Sequence, residues 1–445
     1  MNSKAIKAWY QIHKWASMIC FIFALLLCLT GLPLIFSTEE GGASNTGIQQ
    51  MTVLPGNALP VNLDRITTIS SAMYPAQSIR SIRFSEDEAF VYVQMTSADN
   101  PQGLWITFDN NAKVLEDSGE LGQRGQQGMP FMALMHLLHC NLFAGQSGEF
   151  LLGFMCLPLL AALVSGTVLY GPFMKTQAFG VVRTGSPRRV WQDWHKMLGI
   201  VALVWAAVAS LTGALMVAST PLENLWQKSA YNQAQVISQN QPSSGTSISV
   251  QQAVERVKDA MPDQKVFMVQ YPLEMLQSPS HYVIWSKGTT SFSSYLSTPV
   301  LIEATTGELT EAPWYLKALS IGRPLHLSNY STLPLKILWT LLDIITIGML
   351  VSGIYAWWLK HRICPDRPIS QIEGQYSSAV APLRQSPSQI WSIPMVFGAL
   401  TLFGLIAPLL GSGIWQWLSA LSLAVLPALI FWRCVVYQIA RKRCR

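Results

Sequence analysis

Six stretches of this chain, residues 15–36, 149–171, 197–218, 335–359, 391–410 and 413–432, are apolar almost throughout. Each is about 20 residues long, the length a helix needs to cross the hydrocarbon of a bilayer. In lipid only helices and closed barrels satisfy their own backbone hydrogen bonds, so such runs commit the chain to a membrane helical bundle. Composition agrees, with 50% hydrophobic and 12% charged residues against about 25% charged in an average soluble domain. The 16 Trp suit membrane interfaces. With 30 basic and 24 acidic residues, the net charge of +6 is too mild and too scattered for a nucleic-acid footprint. Seven cysteines are too few for a disulfide scaffold.

The runs are separated unevenly. Two polar stretches, 37–130 and 219–322, are each long enough for a small domain. The first run follows Lys4, Lys7 and Lys14, as a secretory leader would. It exceeds a typical leader core, however, and no small-x-small cleavage site follows closely, so it is expected to remain as a helix. Basic residues fix the orientation. They lie in the N-terminal tail, in the 172–196 loop (Lys175, Arg183, Arg188, Arg189), in the 363–390 linker and just before it (Lys360, Arg362, Arg367, Arg384), and in the 433–445 tail. Six spans put all of these on one side, with both termini cytoplasmic and both polar stretches outside. The last two spans, 391–432, form a hairpin joined by Gly411-Ser412-Gly413.

Two motifs are duplicated at constant spacing. His13-Lys14 is followed by Leu29-Thr30-Gly31, and His195-Lys196 by Leu211-Thr212-Gly213, with 17 residues from His to Thr in both. Leu138-His139 leads to Val164-Ser165-Gly166, and Leu325-His326 to Val351-Ser352-Gly353, with 26 residues from His to Ser in both. The first four spans therefore read as two copies of one helix–domain–helix unit, the second closing at 323–362. The polar stretches follow suit. Helical periodicity at 61–73 and 250–261 precedes strand-like runs at 81–84, 90–95 and 104–108, and at 265–270, 281–285 and 299–303. One small α+β module per repeat is expected.

In this topology His13 and His195 meet at the cytoplasmic face, and His139 and His326 at the outer face. Paired imidazoles from facing helices suit haem iron, and bis-His ligation leaves no open position, favouring electron transfer. Zinc or non-haem iron would need carboxylates or thiolates beside each pair. The spans offer Asp343 and Glu149, while Cys20, Cys28 and Cys156 fall at membrane depth. Two haems are the expectation. Gly31 and Gly213 should come near the outer pair and Gly166 and Gly353 near the inner pair, where a flat macrocycle needs side-chain-free helix surface. Small residues in spans also serve plain helix packing.

Other residues are weighed against these. His136, one turn before His139, is an alternative outer ligand, although the repeat aligns it with Arg323. His361 reads as a snorkelling cap, and His281 as a surface residue of a strand. Lys14, Lys196 and Arg323 adjoin the histidines and could pair with propionates. Cys140 is the outer-side cysteine and has no disulfide partner there. Gly122, Gly125 and Gly128 lack the spacing of a dinucleotide-binding turn.

Together, the His-Lys, Leu-Thr-Gly, Leu-His and Val-Ser-Gly motifs and the Ala304-Thr305-Thr306-Gly307-Glu308-Leu309 turn resemble the PepSY-associated transmembrane family over residues 5–362. That resemblance implies two PepSY-like periplasmic modules in a bacterial inner membrane. It also implies a di-haem cytochrome that passes electrons to a ferric siderophore, releasing Fe(II). Relatives often carry Arg after the second-span His and a Gly-Arg pair entering that span. Here Cys140 and Gly148-Glu149 stand instead, which leaves the outer propionate partner open. Two other readings remain: a membrane-anchored binding or inhibitory module without redox activity, and a transporter of siderophore or haem. The transporter reading has few acidic groups in the spans with which to couple ions.

Overall fold

The computed structural model describes residues 2–37, 62–85, 89–97, 103–117, 131–183, 186–240, 247–272, 280–327, 332–363 and 385–443. Gly122, Gly125, Gly128, Arg367, Arg384 and the side chains of His361, Arg362 and the basic tail 441–445 lie outside the described residues.

The chain begins with helices α1 (Ser3–Leu34) and α2 (Leu63–Met73), then strands β1 (Ser78–Phe84), β2 (Phe90–Thr96), β3 (Leu104–Asp109) and β4 (Val114–Asp117). Helices α3 (Phe131–Cys140), α4 (Gly145–Phe173), α5 (Pro187–Asn240) and α6 (Val250–Ala260) follow. The second strand set is β5 (Gln264–Gln270), β6 (His281–Gly288), β7 (Ser297–Glu303) and β8 (Leu309–Glu311). Helices α7 (Trp314–Leu319), α8 (Gly322–Leu327), α9 (Leu333–Ile363), α10 (Pro387–Leu410) and α11 (Ile414–Arg443) complete it. These elements group into two compact units. The helical unit comprises Met1–Thr38, Phe131–Val217 and Leu325–Arg445, and the sheet unit Glu39–Pro130 and Ala218–Pro324.

In the helical unit, α1, α4, α5, α9, α10 and α11 are each long and apolar enough to cross a membrane. Ile22, Phe154, Leu157, Leu421 and Phe431 are exposed, a surface that only lipid makes tolerable. Inside, Trp205 of α5 meets Trp339 of α9 edge-on with ring centroids 4.8 Å apart. Between α10 and α11, Ser422 Oγ donates to the Leu400 carbonyl at 2.8 Å. The chain turns there through Gly413 at φ +65°, a value that costs glycine nothing.

The sheet unit holds both helix-and-strand groups that the sequence suggests. Its eight strands form one antiparallel sheet in the order β4-β3-β2-β1-β5-β6-β7-β8. The seam is β1 against β5, pairing Ser81 with Gln270, Ile82 with Val269 and Arg83 with Met268. Period-two alternation sets the faces. On β2, Val91, Val93 and Met95 are fully buried while Tyr92 and Gln94 are not. The buried face packs under α2 and α6 through Ile66, Val254 and Val257, each such side chain contributing about 1.5–3 kcal/mol by burial. Helix α6 starts with a capping box between Ser249 and Gln252, which satisfies two otherwise orphaned donors. Arg256 of α6 donates from Nη1 to the Gly307 carbonyl at 2.6 Å, tying the helix to the turn before β8.

Three further differences have physical causes. Helix α5 does not end near residue 218 but runs 54 residues, from Pro187 to Asn240. Its polar extension packs Trp226 and Ala230 on Val283 and Leu301 of the sheet. Strands β4 and β8, of four and three residues, are too short to carry a readable alternation. His281 is buried at 4% exposure rather than on the surface, opposite Glu303 in the ladder. Burial lowers its pKa below the usual histidine value, and the charges of Glu303 and Glu308 oppose that shift.

Candidate functional site: two imidazole pairs

The helical unit brings the four repeated histidines together two by two. His13 of α1 faces His195 of α5, with ring centroids 6.1 Å apart and planes at 58°. His139 of α3 faces His326 of α8, at 6.2 Å and 51°. His13 and Gly31 lie on the same helix, 18 residues apart, which is about 27 Å of helix. Gly31 is against His139, so the two pairs sit toward opposite ends of α1.

Each ring is held on its Nδ1 side. His13 Nδ1 donates to the Ala162 carbonyl of α4 at 2.9 Å, with Ser165 Oγ at 3.3 Å. His195 Nδ1 donates to the Met349 carbonyl of α9 at 2.9 Å, with Ser352 Oγ at 3.5 Å. A carbonyl only accepts, so Nδ1 carries the proton in both.

The other pair reaches the same state by another route. Thr30 Oγ1 lies 3.0 Å from His139 Nδ1 and donates its proton to the Leu26 carbonyl at 2.8 Å. Thr212 Oγ1 lies 3.0 Å from His326 Nδ1 and donates to the Val208 carbonyl at 2.7 Å. With the hydroxyl proton spent on the helix, its lone pair accepts from Nδ1–H. The network thus assigns one tautomer to all four rings, with the Nε2 lone pair left for coordination.

The glycines sit where the repeat puts them, but against the imidazoles themselves. A Cβ on Gly31 would stand 3.3 Å from His139 Cε1, one on Gly166 3.1 Å from His13 Cε1, and one on Gly213 3.3 Å from His326 Cε1. On Gly353 it would stand 2.9 Å from His195 Cε1, closer than real contacts allow. Each glycine therefore lets a ring settle on a helix backbone, and the residue before it lies beside Nδ1. Thr30, Thr212, Ser165 and Ser352 lie beside the imidazole Nδ1 atoms, a placement that sequence reasoning passes over. They stand inside the duplicated tripeptides, where the repeat itself is the signal.

His136 is placed differently from His139. Its Nε2 lies 3.5 Å from Cys140 Sγ, whereas the ring facing His326 is that of His139. Lys14 lies over the Trp15 ring at 4.4 Å. Lys196 donates to Asp193 at 2.8 Å and to Gln177 at 2.6 Å. Asp193 has an enclosed side chain and also takes a forked pair of bonds from Arg183. That cluster staples the 174–183 loop to α5 two residues before His195. Arg323 belongs to the sheet unit. Gly148 is obligatory, since a Cβ there would meet the Asn141 carbonyl at 1.8 Å. Leu142 and Phe143 turn the chain from α3 into α4 at φ +53° and +60°, a conformation costing about 1–2 kcal/mol per residue without glycine. Among the described residues no group of three or more His, Cys, Asp or Glu is arranged to hold a metal ion.

Two imidazoles whose nitrogens face each other across one metal ion place their centroids roughly 6.3 Å apart, allowing about 2 Å from metal to nitrogen and about 1.1 Å from nitrogen to ring centre on each side. The observed spacings of 6.1 and 6.2 Å meet that requirement. No curated protein matches the sequence. Residues 10–360 match the family described as PepSY-associated TM region. With about four-fifths of its length so matched, and with six helices among the described residues apolar enough to cross a membrane, the chain belongs to the PepSY-associated transmembrane family.

Proposed function

We propose that this membrane protein is a di-haem electron conduit that reduces a ferric chelate, in the manner of a ferric-siderophore reductase. The observation that carries the reading is the pairing of four imidazoles at metal-bridging spacing, each fixed with Nδ1–H bonded and Nε2 available. His13 with His195, and His139 with His326, would each hold one b-type haem through their Nε2 atoms. A haem so held would supply reversible one-electron chemistry.

The chain's own residues do the remaining work. Ala162, Met349, Thr30 and Thr212 fix each ring's tautomer and aim, which raises the basicity of the ligating nitrogen. Gly31, Gly166, Gly213 and Gly353 let the rings lie close to the helices. The apolar spans keep water from the pairs. In this reading the chain resides in a bacterial inner membrane, with its two motif-matched halves related by a pseudo-twofold axis. An electron donor on the cytoplasmic side or in the membrane pool serves the His13–His195 pair. A ferric chelate is reduced on the periplasmic side, near the His139–His326 pair. Outer-sphere transfer makes and breaks no bond to a side chain, so no acid–base residue is required.

The test is a dithionite-reduced minus oxidised spectrum with haem counted per chain, on protein made with adequate haem. Two b-type haems per chain are expected, with His139→Ala or His326→Ala removing one and His136→Ala removing none. Protein without a Soret band overturns the reading and leaves the sheet unit as the working part, whereas loss with His136→Ala alone reassigns the ligand.

A further inference from the structure

Helix α3 ends in an unusual concentration of metal-binding side chains. His139 is turned to His326, and three other such residues share a neighbouring face. Met132, His136 and Cys140 follow one another four residues apart. At 3.6 residues per turn each step of four rotates by about 40°, so the three form one stripe. Met132 is 37% exposed, His136 is exposed and Cys140 is half-buried, so the stripe is open to an incoming ion. Two of its members already meet: Cys140 Sγ lies 3.5 Å from His136 Nε2.

The duplication supplies a control. With His139 aligned on His326, the positions of Met132, His136 and Cys140 fall on Leu319, Arg323 and Leu327 in the second half. None of those is a sulfur or imidazole ligand, although each half contributes one histidine to the pair. The stripe is thus extra to what the paired imidazoles need. Thiolate and thioether are soft ligands, and together with imidazole they select monovalent copper among first-row metals. A closed zinc site would want four hard or borderline ligands, and among the described residues no group of even three His, Cys, Asp or Glu stands together. Metal bonds of about 2.3 Å to sulfur and about 2.0 Å to nitrogen, at the roughly 120° of three-coordination, put those two atoms about 3.7 Å apart. The observed 3.5 Å needs only a small side-chain adjustment, with the flexible Met132 thioether one turn away as the third ligand.

We propose that Met132, His136 and Cys140 form a binding site for one monovalent copper ion beside the His139–His326 pair. The thiol releases its proton to water as the sulfur binds the ion, and no electron is transferred. None of the three residues is a proposed haem ligand, so the site stands or falls apart from the di-haem reading.

The experiment is an anaerobic titration of the full chain in lipid nanodiscs with Cu(I) buffered by bicinchoninate, followed by X-ray absorption at the copper edge. Wild type should retain copper with both sulfur and nitrogen neighbours. Cys140→Ser and His136→Ala should each weaken retention by about tenfold or more, at least what loss of a supporting contact costs a metal site, and Met132→Leu should weaken it less. Circular dichroism checks that the variants fold. Cys140→Ser exchanges one atom and Met132→Leu keeps the volume, so the comparison survives should His136→Ala not fold. The site is overturned if copper is not retained, if its neighbours are nitrogen alone, or if Cys140→Ser retains it as wild type does. Copper seated on the paired imidazoles would give that nitrogen-only result. The haem spectrum of His136→Ala is recorded in parallel. A haem lost there makes His136 a haem ligand and ends the proposal, whereas wild type without haem sinks the di-haem reading and leaves the copper site standing.

Discussion

At the scale of single residues, the most informative atoms are two threonine hydroxyls. Thr30 and Thr212 each give their proton to a helix carbonyl and face an imidazole Nδ1 with a lone pair. Replacing either by Val keeps the shape and removes that hydroxyl acceptor from Nδ1. Loss of such a supporting bond typically costs about 10–100-fold in ligand-set affinity. On the di-haem proposal, Thr30→Val or Thr212→Val should therefore shed haem from the His139–His326 pair to a competing apo-globin, while the His13–His195 pair keeps its own. Equal retention by variant and wild type would show that the threonines only pack. The histidines and glycines are legible in the amino-acid sequence, because duplicated spacing singles them out. The hydroxyls' role is not, since it depends on which helix face meets which ring, and spacing along one helix does not contain that.

Elements show a similar division. The six spans are legible because lipid demands length and apolarity, properties that any window of sequence reveals. Helix α5 beyond residue 218 is not, because its extension is polar and buries only Trp226, Ala230 and their neighbours. The junction of α4 and α5 is equally hidden. There Asp193, with its side chain fully enclosed, gathers Arg183 and Lys196. Removing its charge leaves two cations around a neutral amide. Asp193→Asn should cost about 1–2 kcal/mol, at the lower end for charged hydrogen bonds because Arg183 and Lys196 are partly solvated. The expected signs are a lower unfolding midpoint and new protease cuts within 174–183, with the His139–His326 pair unaffected. A loop as resistant as in wild type would remove Asp193 from this role.

For the whole molecule, the decisive feature is the seam between β1 and β5. Long-range pairing of residues 81–83 with 268–270 leaves no local signature, so the sequence suggests two modules where the fold has one sheet. If the sheet is one cooperative body, damage on one side must be felt on the other. Val93 on β2 is fully buried, and Val93→Ala should cost about 2 kcal/mol. Hydrogen exchange should then report lost protection in β6 and β7 as well as in β1 to β3. Loss confined to residues 62–117 would mean that the halves open independently.

Antiparallel pairing also has a bearing on ancestry. His13 meets His195, His139 meets His326, and the first strand of one half meets the first strand of the other. Every one of these contacts joins a position to its motif-matched counterpart. A chain with one copy of each motif would supply to a second copy of itself both partners of these three contacts, as an isologous homodimer does. Fusing the copies removes the dependence of assembly on concentration and releases the halves from identity. The two halves are not identical: Arg83 faces Met268 across the seam, and Cys140 follows one histidine where Leu327 follows the other.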